Sequence, residues 1–234
     1  MSARQTKTKP PVLVRGFLAC VLYAVAPSPV SATPTGLNNI PTADTPPDRT
    51  IVFQGFTNVT DEEQADFFAG FKMGLRPWGQ LIEWGLDGRL GENDPRVAVF
   101  QAKYAVQIWE SLPTFAVGAA NIAVTPADRD KVGQAFKFLV GTQDFGWFRA
   151  HGGYGFQQQN NAAFFGFDKT VPLFGRDLML RTDFIQIDDA DQWLGSGGFI
   201  YFLHKNIAVE QWISVPFEHG EPTFTVKLNL IFEF

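Results

Sequence analysis

Charged side chains recur at alternate positions among large apolar ones through most of this chain. Lys72, Glu83, Asp87, Arg89, Gln101, Lys103, Lys137, Arg149, His151, Arg181, Asp183, Glu210, Lys227 and Glu233 each fall on the polar side of a locally alternating stretch. Two kinds of chemistry fit such a set. One is a polar channel; the other is a narrow interior packed with salt-bridged charges that hold a wall open. A selective path for anions would favour one sign. Here the signs are mixed, and apart from the histidine seven basic side chains face five acidic ones. Trp147, Phe164, Trp212 and Ile231 also read as inward and would narrow a bore. Structural filling and a narrow pore both remain compatible with the pattern.

Covalent catalysis has little support. The histidines are His151, His204 and His219. None has a serine at a spacing that would place both on one strand face, and no Gly-x-Ser-x-Gly elbow occurs. Ser196 or Ser214 would meet a histidine only through the tertiary fold. Asp188-Asp189-Ala190-Asp191 does not match an EF-hand loop, so neither a metal site nor a cofactor is expected.

The elements that position these side chains are strands. In Thr223 to Phe234, alternate positions carry Phe224, Val226, Leu228, Leu230, Phe232 and Phe234, and five of the six residues between them are polar. Period-two alternation gives one greasy and one wet face. On a soluble sheet such a strand would invite edge-to-edge association. A transmembrane β-barrel uses it, apolar toward lipid and polar toward the lumen. Eleven further segments of about ten residues precede it: 50–58, 65–75, 80–90, 96–109, 114–124, 132–142, 146–156, 161–170, 176–187, 192–203 and 207–217. In the sixth, Phe136, Phe138 and Val140 are expected outward and Lys137 inward. The sequence thus predicts an all-β, antiparallel up-and-down transmembrane barrel of about twelve strands, with ten to fourteen compatible. An even number returns both termini to one side. A soluble β-sandwich is the rival architecture. It leaves unexplained why one face of each strand carries charge and the other Phe, Leu and Val.

Connections support this division. Those after odd-numbered strands, such as 60–64 (TDEEQ), 91–95 (GENDP) and 188–191 (DDAD), are acidic. Those after even-numbered strands, such as 76–79 (RPWG) and 204–206 (HKN), are basic or neutral. Trp78, Trp109, Trp193, Tyr154 and Tyr201 fall near strand ends, where interfacial aromatics belong.

The first 32 of the 234 residues read as a signal peptide. Arg4, Lys7, Lys9 and Arg15 precede the apolar run GFLACVLYAVA, and Val30-Ser31-Ala32 offers a cleavage site. Lipoprotein processing at Cys20 is the alternative. Residues 33–48 (TPTGLNNIPTADTPPD) read as an extended lead-in on the periplasmic side, and residues 49–234 as the barrel. The net charge is −5, and the leader carries four basic and no acidic residues, so cleavage after Ala32 leaves −9. That balance disfavours nucleic-acid binding. Twenty-four phenylalanines with a mean hydropathy of −0.04 suit a wall whose two faces average out.

Two stretches resemble a known family. Gly36-Leu37-Asn38-Asn39-Ile40-Pro41-Thr42-Ala43 is similar to the opening of YjbH-like outer-membrane barrels. Pro113 to Ile122 (PTFAVGAANI) resembles one of their strands. The resemblance implies a barrel associated with exopolysaccharide and brings no catalytic residue. The expectation is therefore a Gram-negative, porin-like protein of the cell outer membrane: a narrow passive pore or envelope component, with a possible link to surface-polysaccharide export. The competing class is a lipid-modifying or lipid-hydrolysing barrel enzyme. Outer-membrane lipids and lipopolysaccharide are the expected surroundings. The barrel-assembly machinery is the expected reader of the terminal strand, with Phe232 and Phe234 as its signal.

Overall fold

The computed structural model describes residues 35–61, 64–90, 97–107, 109, 112–156, 161–187 and 192–234. Both alternatives for the leader, and the acidic connections 91–95 and 188–191, lie outside them. Twelve strands follow in order: β1 (Thr50–Asp61), β2 (Gln64–Leu75), β3 (Leu81–Arg89), β4 (Ala98–Val106), β5 (Thr114–Ala123), β6 (Phe136–Asp144), β7 (Arg149–Phe156), β8 (Ala162–Leu173), β9 (Arg176–Ile187), β10 (Gln192–His204), β11 (Ile207–Pro216) and β12 (Thr223–Glu233). Each pairs antiparallel with its sequence neighbours, and β1 pairs with β12, closing the barrel. The seam runs without a break from Thr50↔Glu233 to Val59↔Phe224. Although β1 alternates weakly, closure satisfies its backbone groups on both sides, which a wall in hydrocarbon requires.

Thr50, Glu233 and the turns after even-numbered strands share one rim, called here the terminal rim. Connections after odd-numbered strands share the far rim. Toward lipid the wall shows Phe53, Phe67, Val117, Leu139, Tyr154, Phe165, Leu180, Ile213 and the β12 stripe, all well exposed. At the far rim a one-turn helix, α1 (Arg129–Val132), lies in the connection before β6, which begins at Phe136 and not at the expected Val132. Its Val132 packs with Phe68, Val97 and Val99, against which Phe56 and Ala123 lie. Phe56 and Phe68 stack with centroids 4.6 Å apart.

Three expectations are corrected. First, residues 35–48 are not all a periplasmic lead-in: residues 35–44 fold into the barrel interior, and only the exposed Pro47 and Asp48 stay outside it. Leu37, Ile40 and Ala43 are buried with Ala105, Ala116, Phe138, Val140 and Phe164. Second, β6 faces the opposite way. Phe138 and Val140 point inward, and Lys137 with Leu139 faces out. Alternation defines two faces, but which one meets lipid depends on what fills the lumen. Opposite β6 the filling is apolar, because Leu37 and Ile40 are there. Third, Trp147 does not narrow the bore; it stands 69% exposed in the β6–β7 turn. Phe164 and Trp212 do point inward and are buried.

Candidate functional site: the plugged lumen

Residues 35–44 enter the lumen from the terminal rim, turn, and return. The turn is a tight hairpin: Leu37 N–H donates to Ile40 O at 3.0 Å, and Thr42 N–H to Thr35 O at 3.2 Å. Gly36 is needed at its mouth, since a β-carbon there would collide with the Ile40 carbonyl. Gly166 on β8 leaves room for Leu37 in the same way. Burial of Leu37 and Ile40 contributes roughly 1.5–3 kcal/mol each.

Three sets of wall side chains grip this plug. On β3 and β4, Glu83 Oε1 accepts from Thr35 N–H at 2.6 Å. Lys103 Nζ lies 3.2 Å from Glu83 Oε2 and donates to Thr35 O at 2.8 Å, to Thr42 O at 3.1 Å and to Asp44 O. The lysine charge is thus fully desolvated but ringed by four oxygens, the condition under which a buried cation is tolerated. On β6 to β8, Thr142 Oγ1 accepts from Ala43 N–H at 3.0 Å and lies 2.9 Å from His151 Nδ1. His151 Nε2 lies 2.9 Å from Asp168 Oδ2. A carboxylate only accepts, so Nε2 carries a proton. Arg149 forks onto Asp168 at 2.9 and 2.6 Å and reaches Asp44 Oδ1 at 3.0 Å. On β9 to β11, Asp183 Oδ2 accepts from Asn38 N–H at 2.6 Å and Asn39 N–H at 3.1 Å. The Asn39 amide donates to Ser196 and, at 2.9 Å, to Ser214.

Beside the plug, two polar clusters occupy the remaining sector. Glu210 accepts from Arg181 and from Asn229, each at 2.5 Å, with Lys227 at 3.7 Å. The Arg181 guanidinium sits 5.4 Å from the Trp212 ring centroid. Asp87 accepts from Gln54 and, at 3.4 Å, from Gln101. Lys72 is buried on the lumen face of β2.

Among the residues expected to line the lumen, Lys72, Glu83, Asp87, Lys103, Arg149, His151, Arg181, Asp183, Glu210 and Lys227 face inward. Lys137 does not. Arg89 lies at the far rim, where it pairs with Asp66 at 2.5 Å. Glu233 ends β12 at the terminal rim, exposed. Sequence reasoning missed Asp44, Asp168, Thr142 and the Asn38–Asn39 tip. It also missed that Ser196 and Ser214 would be bonded to each other, at 3.2 Å, rather than to a histidine. The histidine that does meet a hydroxyl is His151, with Thr142. This pair lies under the plug, not at a lipid boundary, and the hydroxyl oxygen is already engaged by Ala43 N–H.

The closed antiparallel wall, its lipid-facing apolar belt and its polar interior define a transmembrane β-barrel of porin architecture. Among solved structures it resembles the KdgM porin, with a TM-score of 0.56 and 8% identity over 79% of this chain and 99% of that one. The same porin in complex with disordered oligogalacturonate gives 0.54 at 8% identity, covering 79% and 99%. The NanC porin gives 0.51 at 9% identity, covering 77% and 98%. At these identities the likeness is one of fold. No family model and no curated protein matches the sequence.

Proposed function

We propose that this chain is a passive pore of the Gram-negative outer membrane, closed at rest by its own residues 35–44. The observation that carries this reading is the plug itself. It is seated by side chains from β3, β4, β6, β7, β9, β10 and β11, yet it belongs to no strand, so it can leave without breaking a strand-to-strand hydrogen bond. The porin architecture of the wall supports placing it in the outer membrane. The hypothesis includes delivery through the barrel-assembly machinery, with Phe232 and Phe234 in the strand that it reads. A link to surface polysaccharide rests on the two short motifs. One of these, Gly36 to Ala43, is the plug hairpin, so its residue types have a local structural reason in this chain.

A reversible lock tests the proposal. Ala43 N–H donates to Thr142 Oγ1 at 3.0 Å, so the two positions are in contact, and the lock is a disulfide between Ala43→Cys and Thr142→Cys in a Cys20→Ser background. In planar bilayers, discrete conductance steps should vanish on oxidation and return on reduction. Equal conductance in both states would contradict a plug that gates. Silence in both states would leave an envelope component without a pore.

A further inference from the structure

A groove of about 460 Å³ opens on the outside of the wall, between the β6–β7 turn and strands β8 to β10. Trp147, Phe148, Phe167, Lys169, Leu180 and Thr182 line it, and Asp168, Arg181 and Gly198 complete its lining. Phe167 and Lys169 on β8, like Leu180 and Thr182 on β9, lie on the face opposite the buried Asp168, Arg181 and Asp183. The groove is therefore open to the bilayer and not to the lumen.

Lys169 is the feature that needs an explanation. An ammonium on the lipid face of a barrel is unfavourable unless it reaches an interface or a counter-charge. Its Nζ lies 5.8 Å from the Trp147 ring centroid, and among the described residues it forms no ion pair with a carboxylate. Trp147, Phe145 and Phe148 cluster in the turn at the terminal rim, with Phe145 and Phe148 centroids 5.0 Å apart and Trp147 and Phe148 4.4 Å apart. Aromatics grouped in this way belong at headgroup height. An apolar groove continuous with the lipid belt, crowned at that height by an unpaired cation, fits one occupant. We propose that it holds a glycerophospholipid of the adjoining leaflet, with an acyl chain between Phe167 and Leu180 and its anionic headgroup on Lys169. This proposal rests on the wall facing lipid and not on whether the lumen conducts.

Native mass spectrometry of the full barrel tests it, using micelles doped with equal dioleoylphosphatidylglycerol and dioleoylphosphatidylcholine. The wild-type protein should retain one phosphatidylglycerol several-fold more often than phosphatidylcholine. Lys169→Gln should abolish the preference, and Thr182→Trp, at a residue that lines the groove, should lower retention of both lipids by filling it. Lys137→Gln, an outward cation elsewhere on the wall, should leave the preference intact. Lys169→Gln changes one exposed side chain, and heat-modifiable gel migration verifies that each variant is folded. Equal retention of both lipids by the wild-type protein would overturn the proposal, as would an undiminished preference in Lys169→Gln.

Discussion

Truncating Ile40 separates a plug from a mere filling. Ile40 is 1% exposed and sits among Ala105, Ala116, Phe138, Val140 and Phe164. Ile40→Ala removes three carbons from a site whose walls are fixed by β-ladder hydrogen bonds and so relax little. Substitutions of this kind cost roughly 2–5 kcal/mol. If the plug docks as a unit, that whole cost falls on its seating. At about 1.4 kcal/mol per factor of ten, the unplugged population rises roughly 30- to 4,000-fold. The assay is single-channel recording in planar bilayers, with the open fraction compared at matched protein insertion. The wall has lost no hydrogen bond, so the temperature at which gel migration shifts should stay near that of the wild type. An unchanged open fraction together with a lower migration-shift temperature would refute the reasoning. It would mean that Ile40 stabilises the barrel as part of one cooperative core.

Other perturbations give distinct outcomes. Gly36→Ala forces a β-carbon onto the Ile40 carbonyl, so its open fraction should rise as for Ile40→Ala without loss of barrel stability. Among the described residues, neither end of the buried Asn38 amide has a hydrogen-bond partner. Asn38→Leu should therefore seat the plug more firmly by about 1–3 kcal/mol, the usual cost of an unpaired buried polar group, and fewer openings should be recorded. Glu210→Gln leaves Arg181 and Lys227 buried without their shared carboxylate. A loss of roughly 3–5 kcal/mol is expected, visible as a lower migration-shift temperature, whereas an unchanged temperature would show that the cluster is hydrated. Nitroxides at Leu139 and Val140 test the facing of β6: the label at 139 should collide readily with lipid-dissolved oxygen, and the label at 140 should be shielded.

The wall was legible from residues 50 to 234 because a membrane barrel writes its two faces into every strand. Segments with a uniform contrast, such as Phe224 to Phe234, could be read directly. Strand β6 could not be oriented from its own residues. Phe136, Phe138 and Val140 look lipid-facing until an apolar partner inside the lumen is known. The plug itself was illegible as structure, since residues 35–48 have no period and their prolines and asparagines read as a loop. A signal was nevertheless present. Leu37 and Ile40 are large apolar residues in a stretch that would otherwise remain wet. The plug-gripping charges Lys103, Asp183 and Arg149 were found by strand alternation. Their partners were not, because backbone carbonyls and N–H groups of an irregular segment leave no trace in residue type.

Whether residues 35–44 occupy the lumen is the claim on which the rest depends, and thiol accessibility measures it most directly. In a Cys20→Ser background, Ala43→Cys replaces a buried residue with one little larger, and Pro47→Cys supplies an exposed reference on the same segment. In the folded barrel, a membrane-impermeant maleimide should label position 47 quickly. It should label position 43 only after heating has shifted the gel mobility. Labelling of position 43 in the folded protein at the rate seen for position 47 would place the segment outside the lumen and contradict the account.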